Sequence, residues 1–195
     1  MKIFKPVDDG NSIERNQVEE IVRALCVSYS QIRCSFFQNQ PAINVALASG
    51  DITKVVQIMA ECYKIPKGFL KQIGYSAKIS SVAQIIFKVD VLACRTLGCT
   101  MYFQKTKVEL CKGSDYLLFH MIAHELAHAR LRLDSHALCN SEFATDVLAV
   151  LVIGNRKGHC SVIINQYEQY GYIRKELVTE LFRCLEKYSG VIYLK

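Results

Sequence analysis

The sequence predicts an α+β fold, mainly helical, with a small sheet of about three strands beside a helix that carries His124-Glu125-Leu126-Ala127-His128. Three observations lead there. Apolar residues recur at helical spacing over much of residues 1–80 and again near the C-terminus. Alternating, β-branched patterning begins only near residue 84. The H-E-x-x-H segment lies inside a run that is apolar nearly all round.

The elements follow in order. Val18, Ile21, Val22, Leu25, Tyr29 and Ile32 share a helical face after the cap candidates Asn11 and Ser12. Asp51 suits the N-cap of a second helix whose Ile52, Val55, Val56, Met59 and Cys62 lie on one side. Pro66 fits the first turn of a short helix ending near Gly74. Phe87, Val89 and Val91 alternate with Lys88 and Asp90 as in a half-buried strand, with a helix over 80–97 as the rival reading. Thr100 to Gln104 and Lys107 to Cys111 are further strand candidates. Ser114 or Asp115 can cap a buried helix from Tyr116 to Leu133, and Asn140 or Ser141 can cap another through Phe143, Val147, Val150 and Leu151. A last amphipathic helix turns Leu177, Val178, Leu181, Cys184 and Leu185 inward.

The size and apolar content allow a substantial core. With no Pro/Gly-rich linker or internal repeat, residues 1–195 are expected to form one unit, with 1–80 as its helical N-terminal part. The longest apolar run, Val147 to Ile153, is far short of a membrane span. The polar start lacks the apolar stretch of a Sec signal. Nine cysteines, an odd number without a Cys-x-x-Cys pair, read as reduced core residues of a cytoplasmic-type protein. The net charge of +6 is spread among acids rather than gathered in a stripe, and no RNA-binding motif or phosphate-cradling loop is present, so no nucleic-acid partner is expected. The oligomeric state is not legible.

Residues four apart on a helix are separated by about 40° of rotation and about 6 Å of rise, so His124 and His128 present their imidazoles on one side. Glu125 lies about 100° from His124 and about 60° from His128, placed to address a metal-bound water without becoming a ligand. Two core histidines and a stray glutamate are the competing interpretation. Burying them on an apolar helix without partners would cost several kcal/mol, which a metal relieves. A catalytic site needs a third protein ligand, and His136, Cys139, Glu142 and Asp146 lie downstream as candidates. Leu131 and Asp134 stand where a metzincin has Gly and His, which excludes that class. Glu142 and Asp146, four apart, emerge on one face of the next helix.

The wording Met121-Ile122-Ala123-His124-Glu125-Leu126-Ala127-His128, followed by Glu142-Phe143-Ala144-Thr145-Asp146, resembles the gluzincins, and among them the compact HtpX-like and ImmA/IrrE-like peptidases. The resemblance covers residues 107–154. It implies a zincin-like fold, Zn2+ as cofactor, Glu142 as third ligand and Asp146 as the partner of His124. Thr145 departs from the Ala often found there, and the connection over 129–141 is short. His136 or Cys139 is the alternative ligand should that connection not place Glu142. The clan often supplies a downstream His, Tyr or Arg that stabilises the oxyanion. Of His159, Tyr167, Tyr170 and Tyr172, the choice falls on His159, whose Lys157-Gly158 approach suggests a loop. His120, one turn before His124, reads as a hydrogen-bonded core residue.

The expected activity is zinc-dependent hydrolysis of a peptide bond in a protein or peptide substrate, by metal-activated water with Glu125 as general base. The strand expected at 107–111 would hold that substrate. The alternatives are a non-catalytic zinc-binding regulatory or recognition protein, and an effector delivered into another cell by a non-Sec route.

Overall fold

A computed structural model of the chain describes residues 15–93, 95–111, 115–153 and 175–189. The elements are α1 (Arg15–Ala48), α2 (Ile52–Cys62), β1 (Leu70–Tyr75), β2 (Ala83–Asp90), β3 (Arg95–Phe103), α3 (Lys105–Leu110), α4 (Asp115–Leu133), α5 (Glu142–Ile153) and α6 (Lys175–Ser189). The fold is α+β, mainly helical, with one three-stranded mixed sheet.

Helix α5 is buried along its whole length, from Glu142 to Ile153. A helix with no exposed side must be surrounded by neighbours that pack its apolar residues and pair its few polar ones. Helices α1, α4 and α6 do so, and α1 also packs on α2 and α6. Val18, Val22, Leu25, Tyr29 and Ile32 form the inner stripe of α1, and Leu177, Val178, Leu181, Cys184 and Leu185 that of α6, as their spacing predicts. Asp51 accepts from the Lys54 N–H at 2.9 Å and so caps α2, whose Ile52, Val55, Val56, Met59 and Cys62 are all buried. Among the described residues no helix is long and apolar enough to cross a membrane.

The sheet runs in the order β1-β3-β2, with β1 parallel and β2 antiparallel to the central β3. Cys99, Met101 and Phe103 of β3 are buried in alternation with the half-buried Thr100 and Tyr102. Both bounding strands shift register beside Gly98, between Leu70 and Gln72 on one side and between Lys88 and Val89 on the other. Gly98 itself has φ of 151°, and a Cβ there would stand 2.6 Å from the Phe69 carbonyl oxygen. Only glycine admits that approach. Helix α4 packs against β2 and β3, so the H-E-x-x-H helix has the sheet on one side and α5 on another.

Two expectations are corrected. Residues 66–74 do not form a helix: the stretch enters β1, so the part before residue 80 is not wholly helical. Its partner is β3, parallel and distant in sequence, and its side chains show no clean alternation, so local patterning carried no strand signal. Residues 107–111 are not a strand but fall in α3 and its C-cap, where Val108 is the buried residue of a single short helix. The strand expected around Phe87 to Val91 is present as β2, paired antiparallel with β3, and the rival helix over 80–97 is not formed.

Candidate metal centre

The centre is assembled from two helices joined by residues 134–141, the connecting part of the 129–141 stretch. Helix α4 closes with the His136 N–H on the Leu131 carbonyl at 2.9 Å and the Ser135 N–H on the Arg132 carbonyl at 3.1 Å, with Ser135 left-handed at φ 51°. This is a Schellman stop built on serine instead of the usual glycine. Asp134 steadies it by accepting from Arg130 Nε and from the Tyr29 hydroxyl, both at 2.9 Å. Helix α5 then starts from Ser141, whose Oγ accepts from the Ala144 N–H at 3.1 Å as an N-cap. The connection is therefore long enough to turn α5 back along α4.

That turn brings Glu142 to the two histidines. His124 Nε2 and His128 Nε2 lie 3.2 Å apart, and Glu142 Oε2 is 3.1 Å from the first and 3.3 Å from the second. All three residues are buried, and Glu142 Oε2 has no partner in hydrogen-bond geometry. Three electron-pair donors thus converge on one point. An ion bound to each at about 2.0–2.1 Å in tetrahedral arrangement would keep them about 3.3 Å apart, so the residues fit a metal. His124, His128 and Glu142 form a group able to hold a metal ion.

Asp146, one turn beyond Glu142, accepts from His124 Nδ1 at 2.7 Å and lies 3.5 Å from His120 Nε2. A carboxylate on Nδ1 fixes the proton there and leaves Nε2 as the donor toward the group. The third downstream polar residue, Thr145, sits with its Oγ1 3.2 Å from His128 Nδ1 and 2.8 Å from the Ser141 carbonyl. Its side chain was legible in sequence only as a departure from the pattern that the segment resembles. The signal that could have found it is a hydroxyl three residues after Glu142 on a helix with no exposed face.

Glu125 is buried on the same helix, and its Oε2 accepts the Ile85 backbone N–H of β2 at 2.7 Å. Because the sheet order leaves β2 at an edge, this N–H is one the ladder does not use. Burial raises the Glu125 pKa above the ordinary carboxylate value, with His124, His128 and the Ile85 N–H opposing and Glu142 adding to it. Burial would also raise Glu142, but the ring nitrogens of His124 and His128 outweigh it and hold that carboxyl at about 2. Burial opposes charge on His124, yet the Asp146 carboxylate more than compensates and raises the imidazole well above its usual range. Asp146 is correspondingly depressed: burial works against its charge, and the charge of His124 overcomes that.

His136 and Cys139 do not join the group. His136 Nδ1 accepts from the Leu138 N–H at 3.1 Å in the connecting turn, and Cys139 is a half-buried free thiol there. His159, Tyr167, Tyr170 and Tyr172 lie outside the described residues. Comparison with family models, with curated proteins and with solved structures finds no match.

Proposed function

We propose that this chain is a zinc-dependent endopeptidase acting on a protein or peptide substrate, with His124, His128 and Glu142 holding the ion and Glu125 as general base. The observation that carries the reading is Glu125, a buried carboxylate with a raised pKa, fixed to β2 on the helix that supplies two of the three donors. A set of two imidazoles and one carboxylate, without thiolate, is a donor set of catalytic zinc sites; structural sites are closed by four ligands and rely on cysteine. Zinc held there would supply a Lewis acid for the scissile carbonyl and lower the pKa of water.

The chain's own residues do the remaining work. Glu125 takes a proton at its carboxylate and delivers it to the leaving amine, a task served by a pKa held above the ordinary carboxylate value by burial. Asp146 keeps His124 in the orientation that presents Nε2 to the ion. Beyond the Ile85 N–H that Glu125 occupies, the outer edge of β2 would offer its other backbone groups to an extended peptide, the role first expected of 107–111. The described cysteines, free and mostly buried, suit a reducing compartment, either the cytoplasm or the interior of a cell reached by a non-Sec route.

The test is metal analysis of the full chain together with a peptide-library hydrolysis assay on Glu125→Gln. The variant should keep stoichiometric zinc and lose about 10²–10⁴-fold in turnover. Undiminished hydrolysis by it would sink the mechanism. The depth of the site favours one second reading, a non-catalytic zinc-binding recognition protein, since His124, Glu125, His128 and Glu142 are all buried. A zinc-loaded wild type that cleaves nothing in the library would select that reading.

A further inference from the structure

Thr145 lies on α5 between Glu142 and Asp146 and is fully buried, so its hydroxyl must find its partners within the protein. Two are in reach: the Ser141 carbonyl at 2.8 Å and His128 Nδ1 at 3.2 Å. A hydroxyl has one proton to give and lone pairs to receive. The carbonyl can only accept, so the Thr145 proton goes to Ser141. The contact with His128 is then made only if Nδ1 carries the proton and donates it to Thr145 Oγ1. That leaves His128 Nε2 with its lone pair, at the position where it faces His124 Nε2 and Glu142 Oε2.

We infer that Thr145 is the positioning residue of His128, fixing it as the Nδ1–H tautomer so that Nε2 is a ready metal donor. The arrangement parallels the hold of Asp146 on His124 but uses a neutral group, so the two imidazoles are oriented by two residues adjacent in sequence. A neutral acceptor adds no negative charge to a centre that already contains Glu125, Glu142 and Asp146. The Ser141 carbonyl also receives the Thr145 N–H at 3.1 Å, so removing the hydroxyl does not strip that carbonyl of its helix bond.

This inference rests on the metal-site reading for its consequence, but its core can be tested on metal-free protein. Nitrogen-15 NMR of the full chain, at a pH where the ring is neutral, should show His128 protonated at Nδ1 in the wild type and in Thr145→Ser. In Thr145→Val, which keeps the shape without the hydroxyl, it should show a mixture of tautomers. Competition against a chromogenic chelator, with Zn2+ alone as the probe, should show Thr145→Val weakened about 10–100-fold and Thr145→Ser within about threefold of wild type. An Nε2–H tautomer in the wild type would overturn the inference even if Thr145→Val failed to fold. So would a Thr145→Val protein with wild-type tautomer and zinc affinity. Failure of the wild type to bind zinc would instead count against the metal reading, with the tautomer result still deciding on Thr145.

Discussion

The backbone N–H of Ile85 points out of the sheet and is accepted by the Glu125 carboxylate at 2.7 Å. Neighbouring residues of an antiparallel strand alternate in direction, so the N–H of Gln84, opposite Tyr102, belongs to the ladder with β3. Proline removes an N–H, and the two positions should respond differently. Ile85→Pro is expected to cost about 1.5–3 kcal/mol, the worth of a hydrogen bond to a charged group, and to retain the fold. Gln84→Pro should cost more because it breaks the sheet. Urea denaturation of both variants checks this; equal losses would contradict the geometry.

Glu142, rather than Cys139 or His136, completes the donor group, and metal removal should report it. At free metal a hundredfold above Kd, binding adds about 2.7 kcal/mol to stability. Chelation should therefore lower the Tm of the wild type and of Cys139→Ala and leave that of Glu142→Ala unchanged. Scanning calorimetry with and without chelator decides between them. A metal-dependent shift that survives in Glu142→Ala and disappears in Cys139→Ala would move the third ligand into the connecting turn.

The His124 pKa is raised in the metal-free protein against the opposing effect of burial, chiefly by Asp146. For a raised pKa the sign is definite. The stabilisation from protonated His124 is fully present below the ordinary value of 6.5 and is lost as pH rises through the folded-state pKa. Metal needs the deprotonated Nε2, so proton and ion compete. The rise in Tm produced by zinc is expected to be small at about pH 6 and to grow toward about pH 8.5. A zinc effect that is flat over this range would show that no proton has to leave.

Gly98 sits where β1, β2 and β3 meet at shifted registers, with its positive φ and the Phe69 carbonyl 2.6 Å from any added Cβ. That same carbonyl accepts the Cys99 N–H at 2.7 Å, so it cannot retreat without losing a bond. Gly98→Ala should destabilise by about 1–3 kcal/mol, measured by thermal or urea unfolding. Its zinc stoichiometry should be unchanged, because the donors lie on α4 and α5.

What could be read in the sequence was whatever the chain decides locally. The two histidines four apart, the Asp51 cap and the inner stripes of α1 and α6 all follow from helical periodicity, and the structure reproduces them. The pairing of Glu142 and Asp146 on one face was legible for the same reason; that the turn over 134–141 would bring them to α4 was legible only through the resemblance. That outcome depends on Ser135 taking a left-handed conformation usually left to glycine. Strand β1 was missed because a parallel partner nearly thirty residues away leaves no local trace, as with Leu70 beside Cys99. The Ile85 contact was invisible in principle, since it uses backbone and any residue type could supply it.

Helix α5 brings Glu142, Thr145 and Asp146 to the centre from an element with no exposed position. Side chains so enclosed have few other rotamers to visit, and the entropy of holding them still is met by the folding of the core itself. An arriving ion would therefore find its coordination sphere already drawn. The difference between metal-free and metal-bound protein should then be confined to the exchange of one proton for one cation, with the surrounding helices unmoved.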